Sequence, residues 1–327
     1  MKDAMVHQDA SSAIRRALID LNEQGWSVDA IQDPTSIGSL FGKQPRASTE
    51  LVAYGFSVSN PRRRIASFRA RPLNLAFAIA NFLWTIRGDD DLSMISFYND
   101  RARSFSPDGE HLIGSIGKRI FDCNGIDQFA AALELLARDR QSRRAVIQMF
   151  SPADLVSPPL DTPCSTSFQL MIRNGAVHWI TYMRSQSTAM VLPYDLFLYT
   201  LLHESAAISI GLPMGRYHHV CGSLHYYEDE SDLVSKMVVE EGLEDGEMPE
   251  MDTSPWMHLQ EINEAESFIR RSLTEEPGKP ISLSKFRLPP YWEGLLKVLI
   301  VAARKRLGAN SVNDEFPELF TWMKKYV

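Results

Sequence analysis

The sequence predicts an α/β (α+β) fold in which strands are packed by helices, followed by a helical extension on the C-terminal side. Two patterns carry this prediction. Short runs in which apolar and polar residues alternate, bounded by Gly, Pro or Asn, are typical of strands. Longer runs that repeat apolar residues at helical spacing indicate helices. Both kinds of run occur in the same stretch of chain, so we expect the strands and the helices to share one core.

Composition fits a folded globular protein. The 327 residues are 44% hydrophobic and 23% charged, far from the composition of disordered chains. The 34 Lys and Arg against 41 Asp and Glu give a net charge of −7, which disfavours a nucleic acid polymer as partner but allows a local basic pocket. The three cysteines are too few for a disulfide framework. Neither a secretory signal nor a membrane-spanning run is apparent, so we expect a cytoplasmic protein without a membrane partner.

The first half of the chain opens with a helix. Apolar residues at helical spacing predict a helix over 11–24, and the Pro, Ser and Gly content of 30–50 predicts a loop. The same rules predict the elements that follow, which are a strand over 51–58, helices over 72–87 and 127–138, and a strand over 145–150.

The second half holds the clearest strands. Alternation predicts strands over 165–173, 177–184 and 217–227, and Pro193 and Gly211 bound a helix over 194–210. Residues 228–254 are strongly acidic, which predicts an exposed segment. The last predicted elements are helices near 256–272, 291–306 and 315–325.

Cys164 stands out among the three cysteines because of its neighbours. A lone cysteine is most often an inert, buried residue. Here Cys164 comes directly before a predicted strand, the pair Arg184-Ser185 ends the next strand, and Asp195 lies at the start of a helix. On the last strand the two-residue period predicts a shared face, which holds Cys221, Ser223, His225 and Tyr227.

Seven short motifs in this order resemble the thymidylate synthase family over about residues 46–230. Each motif is weak alone, but their shared order and spacing make coincidence improbable. The motifs are Phe82-Leu83-Trp84 with Gly88-Asp89, Ser142-Arg143-Arg144, Pro163-Cys164, Phe168-Gln169, Arg184-Ser185, Leu192-Pro193-Tyr194-Asp195, and Gly222 followed by His225 and Tyr227.

The resemblance implies a three-layer fold with a mixed sheet packed by helices. It divides the chain into an N-terminal helix and loop (1–45), a catalytic core (46–230), and an acidic segment with a helical extension packed on the core (231–327). It also implies a homodimer whose partner subunits share arginines across the interface.

The resemblance implies a pyrimidine nucleoside monophosphate as substrate. Cys164 would add to C6 of the base, which requires a thiolate, and a guanidinium such as that of Arg184 is suited to lower the pKa of the thiol. Guanidinium groups also suit a phosphate dianion. The implied phosphate-binding residues are Arg46, Arg143, Arg144, Arg184 and Ser185, and the implied base- and sugar-binding residues are Gln169, Asp195, His225 and Tyr227.

Alternatives stay open for several of these residues. His225 taken alone fits a core histidine equally well, and Arg143 and Arg144 fit a solvated loop. A metal site formed by His218, His219 and His225 is disfavoured, because adjacent residues of a strand face opposite ways. Asp195 taken alone also fits a helix-capping residue.

Asp195 occupies a position where thymidylate synthases generally have Asn. A protonated carboxyl group can donate to N3 of cytosine and accept from its 4-amino group. Asp at this position distinguishes the cytidylate hydroxymethylases within the family. The sequence therefore predicts a CMP or dCMP hydroxymethyltransferase in which Cys164 and Asp195 are catalytic.

The expected cofactor is 5,10-methylenetetrahydrofolate, with Asn81 and Trp84 in its region. Asn81 stands where the family has a catalytic Glu, and Ile116 where it has a Tyr. An amide and an alkyl group cannot transfer protons at neutral pH. Two alternatives follow from these departures: an enzyme of the same fold that uses the Cys164 adduct without folate, and a nucleotide-binding protein without catalytic activity.

Overall fold

The structure is a computed structural model that describes residues 5–29, 46–106, 108–156, 161–241 and 246–307. Its strands are β1 (Val6–His7), β2 (Trp26–Val28), β3 (Ser48–Val58), β4 (Val146–Gln148), β5 (Ser165–Arg173), β6 (Ala176–Ser187) and β7 (Met214–Tyr227). Its helices are α1 (Ala10–Gln24), α2 (Leu75–Ile86), α3 (Ser93–Tyr98), α4 (Ile116–Phe121), α5 (Gln128–Arg138), α6 (Ala153–Val156), α7 (Leu192–Ile210), α8 (Ser231–Val239), α9 (Leu259–Glu275) and α10 (Pro290–Arg306).

The strands form one mixed sheet in the order β1-β3-β7-β6-β5-β4, with β2 paired to β3. β3 runs antiparallel to β7, and β5 antiparallel to β6, whereas β6 and β7 are parallel. A parallel pair needs a crossover connection, and α7 supplies it. The mixed sheet packed by helices is the predicted fold.

Helix α7 forms the centre of the core. Pro193 lies in its first turn, and it ends at Gly211, whose φ of 71° suits glycine. Almost every residue between these ends is buried, because α7 packs on β6 and β7 and also against α1 and α2. None of the described helices, α7 included, is long and apolar enough to cross a membrane.

The predicted elements are present, with changes at their ends. β3 begins at Ser48 rather than at residue 51, because pairing with Tyr227 of β7 extends it. The strand predicted over 145–150 is limited to Val146–Gln148. The predicted helix 315–325 and most of the predicted loop 30–50 lie outside the described residues.

The acidic segment after β7 is not uniformly exposed, contrary to the sequence prediction. It contains α8, whose Val234 and Met237 are buried, and Met248 and Met251 are buried farther along. These four apolar side chains are buried although the segment as a whole is acidic, so its net charge alone does not predict its exposure.

Helix α10 packs on α2. The ring of Trp292 stacks on that of Phe82 with 6.3 Å between centroids, and both side chains are fully buried. Helix α9 packs in turn against α10. The described part of 231–327 is therefore in contact with the core, whereas the division of the chain at residues 45 and 230 stays a prediction.

Candidate active site

In the two central strands, β6 and β7, the alternation of side chains between the two faces of the sheet is interrupted at the same height. In β6, Met183 and Gln186 are both buried although they are three residues apart. In β7, Cys221 and Leu224 show the same spacing and are also both buried. A regular strand would place residues three apart on opposite faces. The registers of β7 with β3 and with β6 both skip Gly222, so the strands are irregular between these pairs.

The backbone around this level shows the irregularity directly. Ala53 in β3 has a φ of 57°, a left-handed conformation that is unusual for alanine. In β7, a Cβ on Gly222 would lie 3.1 Å from the carbonyl oxygen of Arg184. The register between β5 and β6 shifts between Ser165 and Ser167. Irregularities of this kind bend strands and redirect side chains, often beside active sites.

This interruption of the alternation corrects one sequence prediction, that Cys221 shares a face with Ser223, His225 and Tyr227. The thiol of Cys221 is buried 3.6 Å from the Tyr54 carbonyl oxygen. Ser223 Oγ instead lies 3.5 Å from His225 Nδ1, and the His225 ring lies 5.1 Å from the Tyr227 ring. Only the last three residues form a common cluster.

Cys164 lies at the start of β5 and is held by Arg184 of β6. The Arg184 backbone N–H donates to the Cys164 carbonyl oxygen at 2.8 Å. The guanidinium donates from Nε to the Pro163 oxygen at 2.9 Å and from Nη2 to the Thr162 oxygen at 3.1 Å. Arg184 thus fixes the peptide segment that carries the thiol while its own side chain stays exposed.

The pKa of Cys164 is raised, which corrects the expectation that Arg184 lowers it below the ordinary value. The residue as a whole is exposed, but protein atoms around the sulfur remove enough water that burial has the largest effect on the pKa. Arg184 acts in the opposite direction with a smaller effect, and Asp195 raises the pKa of Cys164 further. In the free protein, Cys164 is therefore a thiol rather than a thiolate.

Asp195 lies in the first turn of α7 and is held by Gln186 of β6. Gln186 Nε2 donates to Asp195 Oδ2 at 2.8 Å. Burial raises the pKa of Asp195 to about 7, and the hydrogen bond from Gln186 acts against this rise. The N-cap of α7 is Val191, which makes no side-chain cap, so Asp195 is not the capping residue.

Arg46, His225 and Tyr227 come together at the end of β7. The Arg46 guanidinium lies 3.5 Å above the Tyr227 ring centroid, and it forms an ion pair with Asp229 at 3.3 Å. His225 is buried, and burial lowers its pKa, so the imidazole is neutral near pH 7. A neutral imidazole beside a phenol can donate and accept hydrogen bonds.

Two buried polar atoms near these residues have no hydrogen-bond partner within the described residues, Ser187 Oγ and Gln186 Oε1. Ser187 pairs with His225 across the β6–β7 ladder. Buried polar atoms in proteins are nearly always satisfied. Both atoms are thus available to a bound ligand or to water.

Three predicted residues lie elsewhere. Gln169 Nε2 donates to the Arg143 carbonyl oxygen at 2.8 Å, and the Tyr182 hydroxyl donates to Gln169 Oε1 at 3.3 Å. The neighbouring Phe168 packs on Tyr199 of α7, so alternation places Gln169 on the sheet face opposite α7. Arg143 and Arg144 are exposed and make no side-chain ion pair within the described residues. The single chain does not bring the three residues to Cys164.

The predicted folate region, Asn81 and Trp84, lies on α2, and Ile116, the second departure from the family, is the first residue of α4. Asn81 is half-buried, and its amide makes no hydrogen bond within the described residues. Trp84 is buried, and its indole N–H donates to the Asp91 oxygen at 2.6 Å. Ile116 offers only an alkyl group. The available amide of Asn81 fits a polar heterocycle, but these residues cannot act as acid or base.

The described residues contain no group of three His, Cys, Asp or Glu side chains arranged to hold a metal ion. His218 Nδ1 lies 2.8 Å from Ser57 Oγ, whereas His219 is buried, stacked on Phe56 and bonded to Tyr217. The two adjacent histidines therefore lie in different surroundings, as strand alternation requires.

The thymidylate synthase family matches residues 46–268, about two thirds of the chain. The chain belongs to the thymidylate synthase family. Two relatives are phage proteins named deoxyuridylate hydroxymethyltransferase, 24% identical over 216 residues in Bacillus phage SP01 and 25% identical over 207 residues in Delftia phage PhiW-14. The matches cover 62% and 58% of this chain and 56% of each relative. The chain thus spans little more than half the length of these relatives.

Within this thymidylate synthase family member, sequence reasoning missed Gln186. It directly follows Arg184-Ser185, but the strand predicted over 177–184 stops before it, whereas β6 continues to Ser187. The neighbours of Gln186 in sequence are polar and give no sign that it is buried; only the structure shows a buried amide, which needs a polar partner. That partner is Asp195.

Proposed function

We propose that this protein transfers a one-carbon unit to C5 of CMP or dCMP through covalent addition of Cys164 to C6, giving a 5-hydroxymethyl product. The observation that carries the proposal is the carboxyl group of Asp195, which Gln186 holds at 2.8 Å in the first turn of α7, close enough to Cys164 to influence its pKa. Burial raises the pKa of Asp195 to about 7, so the group is partly protonated at neutral pH. The family membership and the names of the two phage relatives support transfer to C5. In this proposal the core (46–230) carries out the chemistry and residues 231–327 support it. The proposal also includes a cytoplasmic location, which cell fractionation tests.

The covalent step uses the two residues together. The thiol of Cys164 releases its proton to solvent and its sulfur forms a bond to C6, while the electron pair of the C5–C6 double bond moves through C4 toward N3. The proton on Asp195 passes to N3, which neutralises the charge that develops there. When product forms, the C6–S bond breaks and N3 returns the proton to Asp195. Arg184 holds the Cys164 peptide during both steps.

Protonation of Asp195 also activates the thiol. The ionised carboxylate raises the pKa of Cys164, so a proton on Asp195 removes that influence and leaves Arg184 to favour the thiolate. The form of the protein that can protonate N3 is therefore also the form with the more reactive sulfur.

Cytosine suits Asp195 better than uracil in this scheme. Addition to C6 of cytosine leaves charge on N3, which needs a proton, whereas N3 of uracil carries one already. A carboxylic acid with a pKa of about 7 can release a proton, and the amide that most family members carry cannot. Uracil nucleotides stay the alternative substrate, because both phage relatives are named for deoxyuridylate.

Methylenetetrahydrofolate, when bound, supplies the one-carbon unit at the oxidation level of formaldehyde, and the amide of Asn81, which makes no hydrogen bond in the described part of the chain, is the group that would hold it. Asn81 and Ile116 cannot transfer protons. Solvent therefore has to take the C5 proton and provide the hydroxyl group. Arg46, Arg184 and Ser185 would bind the phosphate, and His225 with Tyr227 would bind a sugar hydroxyl.

The test of this function uses 5-fluoro-CMP, 5-fluoro-dCMP and 5-fluoro-dUMP. Fluorine at C5 cannot leave as a proton does, so the adduct accumulates and intact mass reports it. A cytosine adduct that needs methylenetetrahydrofolate supports the proposal. An adduct without folate supports the folate-independent alternative, and the absence of any adduct supports a binding protein. Preference for the uracil analogue overturns the cytosine assignment.

Asp195 predicts a pH dependence of nucleotide binding. Because the protonated carboxyl binds cytosine, affinity for CMP should fall about tenfold per pH unit above the Asp195 pKa of about 7. Titration calorimetry between about pH 7 and 8.5 isolates this group, since the phosphate is already a dianion there. Nearby Cys164, Tyr199 and Tyr217 have raised pKa values and His225 a lowered one, so they keep their charge state. Asp195→Asn should bind with no pH dependence, and a pH dependence that persists in this variant contradicts the assignment.

The proposal includes a homodimer. The sheet face opposite α7 carries Gln169, His178 and Tyr182, which are half-buried or exposed in the single chain. The exposed guanidinium groups of Arg143 and Arg144 lie where β4 meets this face. A second copy that covers the face would carry these arginines toward its partner's site.

Complementation tests the shared arginines. A variant with Arg143→Ala and Arg144→Ala and a second variant with Cys164→Ala should each be inactive. Mixed after reversible dissociation, they should recover about a quarter of the wild-type activity, because half the dimers then contain one intact site. Activity no greater than the sum of the separate variants contradicts the arrangement.

A further inference from the structure

Gln186 is the single side chain found in hydrogen-bond contact with the Asp195 carboxyl group within the described residues. Its Nε2 lies 2.8 Å from Asp195 Oδ2 and 3.5 Å from the Ser187 carbonyl oxygen. Both neighbours accept hydrogen bonds, so they agree on which end of the amide carries nitrogen. The Gln186 residue is 2% exposed, which holds the amide in this orientation.

The contact makes the two oxygens of Asp195 unequal. Oδ2 accepts from Gln186, so it is the better placed to stay unprotonated. Oδ1 is then the oxygen that takes the proton. The neutral carboxyl group thus has a fixed order, with a donor at Oδ1 and an acceptor at Oδ2.

This order matters because a neutral carboxyl group can match either pyrimidine. Cytosine needs the donor opposite N3 and the acceptor opposite its 4-amino group. Uracil needs the reverse, an acceptor opposite N3–H and a donor opposite O4. A carboxyl group whose proton could move freely between its oxygens would therefore bind both bases.

We infer that Gln186 is a positioning residue that determines base specificity by fixing which oxygen of Asp195 carries the proton. The inference rests on the proposed function, because it assumes that Asp195 meets the base. Gln186 needs no contact with the nucleotide for this role. It acts through Asp195, and the wrong base then leaves a donor facing a donor and an acceptor facing an acceptor.

The variant that tests the role is Gln186→Met, which keeps the length of the side chain and removes the amide. We expect the ratio of CMP to UMP dissociation constants to move at least about tenfold toward one, since one mismatched hydrogen-bond pair is worth roughly that factor. The pH midpoint of CMP binding should move upward, because the hydrogen bond that Gln186 donates to the ionised carboxylate is lost. A purely structural role would weaken both nucleotides equally and leave the midpoint in place.

Two further variants complete the experiment. Gln186→Glu is nearly isosteric and puts a second carboxyl group beside Asp195, so it should also raise the midpoint and reduce the ratio. Gln128→Met is the matched control, since Gln128 bonds to backbone groups of Arg119 and Gln148 away from the site. It should change neither quantity.

The outcomes separate this inference from the function on which it rests. If Gln186→Met or Gln186→Glu folds and keeps the wild-type ratio of CMP to UMP dissociation constants and the wild-type pH midpoint of CMP binding, the role of Gln186 is overturned. The proposed function then still stands. A wild-type preference for UMP overturns the cytosine assignment, while loss of that preference in the variants still supports Gln186. Wild-type protein that binds neither CMP nor UMP overturns both.

Discussion

Replacing Cys164 by alanine is expected to lower turnover by about 10³-fold or more, because it removes the proposed nucleophile. Cys164 is the exposed cysteine of the three, and Arg184 holds its peptide through both its backbone N–H and its guanidinium group. Cys221 is not an alternative nucleophile, because its thiol is buried in the core. The variant should lose the covalent adduct with 5-fluoro nucleotides, measured by intact mass, and should still bind CMP within a few-fold of the wild type.

Cys123→Ala is the matched control for this prediction. Cys123 is half-buried in a turn before α5, and its backbone pairs with Ile126. Removing its thiol should leave the adduct and the turnover unchanged. An adduct that persists in Cys164→Ala and disappears in Cys123→Ala would contradict the assignment of the nucleophile.

Replacing Glu204 by alanine is expected to lower the free energy of unfolding by about 3–5 kcal/mol. Arg64 and Glu204 form an ion pair of 2.6 Å in which the side chains are 0% and 3% exposed. Glu204 also accepts from the Met251 backbone N–H at 3.0 Å. Without Glu204, the guanidinium of Arg64 stays buried and loses its ion-pair partner within the described residues. Urea denaturation followed by circular dichroism measures the change.

Two controls show whether burial of the ion pair causes the expected loss of stability in Glu204→Ala. Glu276→Ala breaks the exposed pair with Lys279 and should cost below about 1 kcal/mol. The double variant Arg64→Met with Glu204→Leu removes both charges and should recover most of the loss, because no buried charge is left unpaired. If Glu204→Ala costs no more than Glu276→Ala, the buried pair contributes nothing to stability.

The pair also matters for the site because Glu204 and Asp195 belong to the same helix. Glu204 joins α7 to Arg64 and to the segment at Met251, and this holds the helix whose first turn presents Asp195. We therefore expect the loss of stability in Glu204→Ala to weaken nucleotide binding as well.

The sequence was sufficient to place most of the longer elements and to single out Cys164 as the candidate nucleophile. Alternation placed the bounds of β5, and Pro193 with Gly211 bounded α7, because these signals act within a few residues along the chain. The order of the motifs around Cys164 and Asp195 pointed to the family that matches residues 46–268.

Only the tertiary structure decided how these residues meet. Strand alternation predicts a face only while the strand is regular, and the irregularity at Ala53, Arg184 and Gly222 depends on three neighbouring strands at once. It separates Cys221 from His225 and turns Gln186 toward Asp195. The pKa of Cys164 likewise depends on burial, which sums over atoms distant in sequence and exceeds the effect of the one nearby guanidinium that the sequence suggested.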